Sequence, residues 1–433
     1  MLPLSKNKYI FLNLFSGFSV KVFSYTELLS VTTKEFLLKI KDLTMSEKQF
    51  ELIKDEMKNQ IKSQMNLVPV LRAYVNFFTI ILRDFVNYDH IIETLDKLTI
   101  FDFKKFVDKL FKNIDMKIFI HGSMDKNEAH KLSKKINDLF KSSKPISPLA
   151  KKYMNEHADL SGYFIFREHL NQAYNINHAV LNFYQIGQEN ISNIVYANLV
   201  KALCGYIYFT ELRIKEQLGY TAKGKVFSEG NIIYYMIMVQ GSTKTPDFMD
   251  LRVENLIKIM RERIKTTDQA KFEKMKFAVE RKVGKKDKNI KKRTFRLWNE
   301  IILQRYYFNI KKISKKFVKN IKLEDVLNFF DKFASKDLKK LSVQEFSKNV
   351  EKLPTNTPKV NGYQSILMKD NDDIRKKRKF IEFDYSKIPG KVKNNTKDNN
   401  KDNKKGTKIQ KNKDKKKDSI DIIKLTNMKI IKK

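Results

Sequence analysis

Between Ile191 and Val239 the hydrophobic period changes once, and that change limits what the chain can fold into. Ile191, Val195, Leu199, Leu203 and Ile207 recur every fourth residue, as one face of a helix does. Ile232 to Val239 is a continuous apolar run rich in β-branched and aromatic residues, which predicts a buried strand. Between them lies Glu211-Leu-Arg-Ile-Lys-Glu-Gln-Leu-Gly-Tyr220, which starts on the last helical turn and ends as a strand begins. Gly219 stands where a C-terminal cap or tight turn would place glycine.

The rest of the chain repeats this alternation of period. Residues 8 to 22 read as one or two strands. A helix through Leu37, Leu38 and Ile40 can be capped by Thr26, Thr32 or Thr33. Ser46 opens a helix to about Met65, and Pro69 precedes an apolar helix through Phe77 and Phe85. Short helices follow near 88 to 97 and 102 to 113, then a strand at 116 to 121 and a helix ending near Phe140. Strands at 162 to 167 and 178 to 184 precede the central segment. Helices at about 247 to 264, 268 to 284, 293 to 308 and 323 to 334, with a last strand near 340 to 343, follow it. Lys141-Ser-Ser-Lys-Pro-Ile-Ser-Pro148 is a linker signal. The predicted class is α+β, each unit a mainly antiparallel sheet layered with helices. The units are 1–140, a linker at 141–160, 161–383, and a disordered Lys/Asn-rich tail at 384–433.

Composition bounds the partners. The chain has 433 residues, enough for two or more domains, and a formal net charge of +38. The last fifty residues hold 17 lysines against 6 aspartates; this is a solvated tail by composition. Such an excess suits polyanions or acidic peptides as partners. Arg375-Lys-Lys-Arg-Lys379 could serve as a nuclear address. The single cysteine, Cys204, excludes an intramolecular disulfide and suits a reducing compartment such as the cytoplasm. No run of about eighteen apolar residues predicts a transmembrane helix.

The chemistry-bearing residues are sparse. A helical zinc site needs two histidines on one face with a glutamate beside them to polarise water. His90-Ile-Ile-Glu-Thr94 has threonine where the second ligand of a His-x-x-Glu-His site would stand. His121 closes a strand before Gly122, and His130, His157, His169 and His178 lack ligand-spaced neighbours. There is no Gly-x-Ser-x-Gly elbow and no phosphate-binding glycine loop. The chain is therefore expected to bind no metal or cofactor and to carry no catalytic residue of its own.

The decapeptide resembles the Arg-x-Lys-Glu-Gln-Leu-Gly-Tyr signature in the C-terminal half of insulinase (insulysin-type) zinc metallopeptidases. Tyr184-Gln-Ile-Gly-Gln, Gln240-Gly-Ser-Thr-Lys-Thr-Pro, Leu251-Arg-Val-Glu, Trp298, Glu300-Ile-Ile, Gln304 and Tyr307-Phe308 extend it. Gly17-Phe-Ser, Phe50-Glu-Leu-Ile-Lys and His121-Gly resemble pieces of the preceding domain, so the resemblance covers roughly residues 8 to 383. It implies two homologous domains, the third and fourth of four, with the first incomplete at its start.

The resemblance also implies a role. Arg213 and Tyr220 would be the substrate-binding residues, facing a zinc site on a separate N-terminal half and holding the peptide backbone. Lys215 and Glu216 would fix the local turn. The chain would be a non-catalytic, pseudoenzyme-like wall of a peptide-degrading chamber, with zinc on the partner half and unfolded peptides, acidic or extended, as substrate. The competing readings are a non-enzymatic polyanion-binding or scaffold protein, a truncated relic, and an organellar processing-peptidase-like subunit.

Overall fold

The structure, a computed structural model, describes residues 8–14, 17–83, 85–141, 143–144, 156–170, 172, 174–370, 380–381, 422–424 and 429–431. The Arg375–Lys379 cluster, most of the linker and most of the stretch from 384 onward lie outside the described residues. An antiparallel hairpin, β1 (Lys8–Leu14) and β2 (Gly17–Phe23), opens the chain. Five helices and a short strand follow: α1 (Thr26–Lys41), α2 (Glu47–Met65), α3 (Pro69–Ile81), α4 (Tyr88–Lys97), α5 (Ile100–Leu110) and β3 (Lys117–Ile118). α6 (Lys126–Leu139) closes this half.

Local chemistry sets several of these helix starts. Ser46 Oγ accepts from Gln49 N at 3.3 Å while Gln49 Oε1 accepts from Ser46 N at 2.9 Å, a reciprocal capping box at the head of α2. Proline at the first position starts α3, where its missing N–H costs nothing. No threonine caps α1. Tyr25 holds the N-cap position without a side-chain bond, and Thr32 and Thr33 are buried inside the helix. The Thr26 hydroxyl instead meets Ser123 Oγ at 3.0 Å.

The centre of the molecule is a seven-stranded sheet. Its strands are β4 (Gly162–His169), β5 (His178–Gln188), β6 (Thr221–Glu229), β7 (Ile232–Gly241), β8 (Lys339–Phe346), β9 (Lys359–Val360) and β10 (Tyr363–Leu367). They lie in the order β6-β7-β5-β8-β4-β10-β9, with β4 parallel to both β8 and β10 and the other pairs antiparallel. α7 (Ile191–Leu203), α8 (Pro246–Lys265), α9 (Gln269–Val283), α11 (Ile310–Lys319) and α12 (Leu323–Asp331) build the core on one face, against Tyr163, Ile165, Val180, Tyr235 and Ile237. α3 covers the other, where Ala73, Phe77, Ile80 and Ile81 pack on Phe164, Phe166, Leu181, Phe183 and Met236. Phe77 stacks on Phe183 with ring centroids 3.8 Å apart. Covering both faces explains why β7 reads as an unbroken apolar run. It also means that a helix from the first 140 residues completes the core of the second unit.

The segment expected as one helix over 293 to 308 is broken. α10 (Ile290–Ile302) stops where Gln304 and Tyr306 take positive φ of 56° and 58°, and α11 starts a separate helix that the sequence reading did not contain. Glu300 organises the break: its backbone oxygen accepts from Arg305 N and Tyr306 N at 3.0 and 3.1 Å, and its carboxylate pairs with the Arg305 guanidinium at 2.8 Å. Trp298, on the same helix, donates from Nε1 to Ser19 Oγ at 3.2 Å and ties the second unit to β2. Within the stretch read as a solvated tail, Ile422–Lys424 (β11) and Lys429–Ile431 (β12) pair with each other, and β11 pairs with β3.

Gly219 does not cap the long helix. α7 already ends at Leu203, a π-helical turn occupies Tyr208–Lys215, and Gln217 takes the left-handed conformation at φ 53°. Gly219 is needed for space instead. A Cβ there would lie 2.1 Å from Gln240 O, and one on Gly241 would lie 2.3 Å from Leu218 O. The two glycines let two backbones touch, which ties the decapeptide to the Gln240-Gly stretch.

α3 docks through charge as well as apolar area. Arg72 holds Glu168 through two bonds at 3.1 and 2.8 Å. Asn76 Nδ2 donates to Glu168 Oε2 at 2.5 Å and to Glu345 Oε1 at 2.7 Å. Glu168 and Glu345 are register partners on adjacent strands. Burial and then the neighbouring Glu168 charge push the Glu345 carboxyl well above the ordinary value of 4.5, against the opposing pull of Asn76 and Arg72.

Two outcomes are expected. Because the folded state holds the Glu345 proton more tightly than the unfolded chain, this group stabilises the fold below pH 4.5 and loses that contribution as pH rises through its folded value. Denaturant titrations across that range should show a falling slope in the wild type that Glu345→Gln removes; identical slopes would refute the assignment. Gly219→Ala or Gly241→Ala should cost about 3 kcal/mol, because the clash is with backbone that cannot rotate away. Chemical denaturation reads this directly, and a loss near zero would show that the crossing relaxes.

Candidate functional site

Leu212 and Leu218 fix the decapeptide from below. Both are buried in the core under the π-helical turn, as is Tyr208. The Tyr208 ring lies on β6 where only glycine fits, since a Cβ on Gly224 would approach its Cζ to 2.3 Å. The ring's hydroxyl meets Tyr235 OH. Backbone bonds close the turn with wide loops, Glu216 N to Glu211 O at 3.0 Å and Leu218 N to Leu212 O at 2.9 Å. Such π-type turns are rare and tend to occur where a helix must re-aim its side chains.

Lys215 and Glu216 do fix the turn. Lys215 Nζ bonds Glu211 Oε1 at 2.8 Å within the segment. Arg252 on α8 reaches Glu216 through two bonds at 2.5 and 2.8 Å, a fork that sets distance and orientation together. With Leu212 and Leu218 facing inward and the acidic residues engaged, Arg213 is left exposed, as is Ile214. Its guanidinium lies 5.1 Å from the centre of the Phe209 ring, and among the described residues no carboxylate pairs with it.

Tyr220 is about half exposed, at the entry to β6. Gln240 orients its hydroxyl. Val70 N, at the head of α3, donates to Gln240 Oε1 at 3.0 Å, which fixes the amide so that Nε2 donates to the Tyr220 oxygen. The phenol therefore uses its oxygen as acceptor internally and keeps its own proton to donate outward. No hydrogen bond joins Arg213 to Tyr220; both are presented by the same short segment.

α8 is held in turn by a buried ionic network that the sequence reading missed. Lys340 on β8 is fully buried, with Nζ 2.6 Å from Asp250 Oδ1 and 2.7 Å from Glu254 Oε1. Asn182 donates to Asp250 at 2.7 Å, Tyr184 to Glu254 at 2.8 Å, and Tyr163 to Asp250. Burial acts to lower the Lys340 ammonium, but the Asp250 and Glu254 charges outweigh it and hold it well above the usual lysine value. The one available signal was a lysine opening an apolar strand.

The histidines do not assemble. His90 and Glu93 are exposed on α4 at 3.8 Å from each other, and Thr94 donates to His90 O. His121 Nδ1 meets Thr294 Oγ1 at 2.6 Å, and His178 Nδ1 accepts from Ser347 N at 3.0 Å. His157 is buried against Tyr234 OH at 2.9 Å, and burial pushes it down to about 3. Among the described residues no group of three or more His, Cys, Asp or Glu could hold a metal ion. Burial pushes the Cys204 thiol up to about 12, which makes it a poor nucleophile.

Comparison with known proteins follows the same geometry. Residues 199–298, which contain the decapeptide and its partner helix, match the family model described as PQQ synthase PqqF-like, C-terminal lobe domain 4. The chain is 23% identical to insulin-degrading enzyme of Bos taurus over 79% of its own length and 34% of the relative. It is 26% identical to a putative zinc protease of Caenorhabditis elegans over 73% of its length and 37% of that protein. It thus spans about a third of the curated relatives it matches. The pitrilysin crystal structure superposes with a TM-score of 0.72 at 15% identity, over 87% of this chain and 39% of pitrilysin. A peptidase inactive domain from Pseudomonas fluorescens gives 0.57 at 11% identity, over 79% and 81%. Over most of its length the chain thus has insulinase-type, pitrilysin-like peptidases as its homologues, and the block matched to a C-terminal lobe domain holds the signature, its glycine crossing and its partner helix together.

Proposed function

We propose that the chain is the non-catalytic C-terminal half of an insulinase-type metallopeptidase, forming one wall of a peptide-degrading chamber opposite a zinc-bearing half. The observation that carries this is the division of labour in the decapeptide. Leu212, Leu218 and Glu216 are spent on anchoring, and Arg213 and the outward phenol of Tyr220 are left to the solvent side, with Ile214 exposed next to Arg213 in the chain. An exposed guanidinium offers a fixed fork of donors to a peptide carbonyl or carboxylate. A phenol whose oxygen is already hydrogen-bonded can donate to an oxyanion as it develops. The zinc would sit on the opposing half and supply the attacking hydroxide; this chain would bind and orient the peptide. A reducing compartment such as the cytoplasm suits its lone cysteine.

A second reading rests on charge. The exposed side of α11 carries Lys312, Lys315, Lys316 and Lys319 close together, a pattern that suits a polyanion. Neutralising several phosphates would release counterions, so binding of this kind must weaken steeply with salt.

The test is a pull-down from the native source followed by a fluorogenic peptide assay, with and without chelator. A zinc subunit should co-purify, and cleavage should need both chains. Arg213→Ala or Tyr220→Phe should lower kcat/KM by about 10²-fold while leaving the unfolding midpoint unchanged. Full activity in both variants, or a chain that recovers no zinc partner, would rule the reading out and leave salt-sensitive polyanion binding as the one to pursue.

A further inference from the structure

β6 is the outermost strand of the seven-stranded sheet, and β7 is its one strand neighbour. The pairing runs in unbroken register from Thr221↔Gln240 to Glu229↔Ile232, nine residues with no bulge and no proline. In an antiparallel ladder, alternate residues turn their N–H and C=O groups away from the neighbour. Among the described residues, no backbone group from elsewhere in the chain bonds to this outer side. The opposite edge of the same sheet is finished differently, by the two-residue strand β9. Long, flat, unblocked edges are templates for an added strand, and proteins usually blunt them.

The position and charge of this edge select an occupant. β6 begins directly after Tyr220, and the turn that carries Arg213 lies against it. Lys223 and Lys225 are exposed along the strand. Lys225 is held in place, with Nζ 3.2 Å from Tyr74 OH and over the Tyr74 and Phe227 rings at 5.3 and 5.4 Å. A second copy of this chain would bring lysine-bearing strands edge to edge in a molecule of net charge +38. An acidic strand meets no such repulsion.

We propose that β6 receives an extended acidic peptide as an added strand, its backbone bonded along Thr221–Glu229 and its carboxylates facing Lys223 and Lys225. The inference rests on the chamber-wall reading and specifies how that wall grips its substrate: by main chain, therefore with little demand on side-chain identity. Tyr220 and Arg213 then stand at one end of the bound strand.

The experiment uses the full chain and a short, unstructured, fluorescein-labelled acidic peptide, followed by anisotropy. A series of the same peptide carries a single N-methyl group at each successive amide. Strand addition predicts an alternation: methylation at every second residue weakens binding by about tenfold, and at the residues between has little effect. Hydrogen exchange should slow at alternate amides of 221–229 when the peptide is present, and the double variant Lys223→Glu, Lys225→Glu should weaken the unmodified peptide by about tenfold or more. Binding that is lost in Arg213→Ala but shows no alternation would overturn the edge and leave the chamber wall standing. Absence of any peptide binding would overturn both. Concentration-dependent protection of β6 without peptide would give the edge to a second copy and likewise sink the proposal.

Discussion

A single buried ammonium organises the working part of this molecule. Lys340 rises from the middle of the sheet into two carboxylates of α8, and tyrosine and asparagine donors from β4 and β5 complete their coordination. Three charges out of water are costly unless each is paired and hydrogen-bonded, and removing one partner would strand the others. The network therefore tolerates little drift between α8 and three strands at once. From α8 the constraint passes through Arg252 to Glu216, and from Glu216 to the π-helical turn that presents Arg213. A surface arginine is in this way positioned by a lysine with no exposure at all.

The sheet itself depends on being covered twice. α7, α8 and α12 fill one face, and α3 fills the other with Phe77 stacked on Phe183. α3 precedes the linker, yet its Val70 N–H orients Gln240, which in turn orients Tyr220. The two halves of the chain are thus joined through the site as well as through the core. Trp298 and Ser19 make a second tie farther out, at the hairpin. A unit bounded by the linker alone would leave the α3 face of the sheet bare, an apolar surface too large to expose without consequence.

Stability and function draw on the same few residues here. The Gly219 and Gly241 contact serves packing, but it also decides where Tyr220 leaves the turn. β6 lies at the end of that sequence of constraints, an edge strand without a bulge that follows directly on Tyr220. An edge left open beside this surface is what the proposed wall would need to handle extended chains by their backbone, which every peptide shares.

Much of this was legible in the sequence, and the reason is local. The period of α7 and the apolar run of β7 are set by which faces each element must bury, and both are written in consecutive residues. The capping box at Ser46 and the proline heading α3 are equally local. The Arg-x-Lys-Glu-Gln-Leu-Gly-Tyr pattern singled out Arg213 and Tyr220, both of which are exposed, and the roles of Lys215 and Glu216 as turn-fixing groups agree with their bonds. What the residues could not state was anything that depends on a partner distant in the chain. Gly219 read as a cap or tight-turn residue because its closest constraint, the Gln240 carbonyl, is brought in by the strand pairing. The break after Ile302 was hidden because Glu300 acts on Arg305 and Tyr306 only once their backbone has turned. Lys340 stood in the sequence only as the start of a strand, and it is the tertiary structure, by placing two carboxylates and two phenols around it, that allows its charge to be buried.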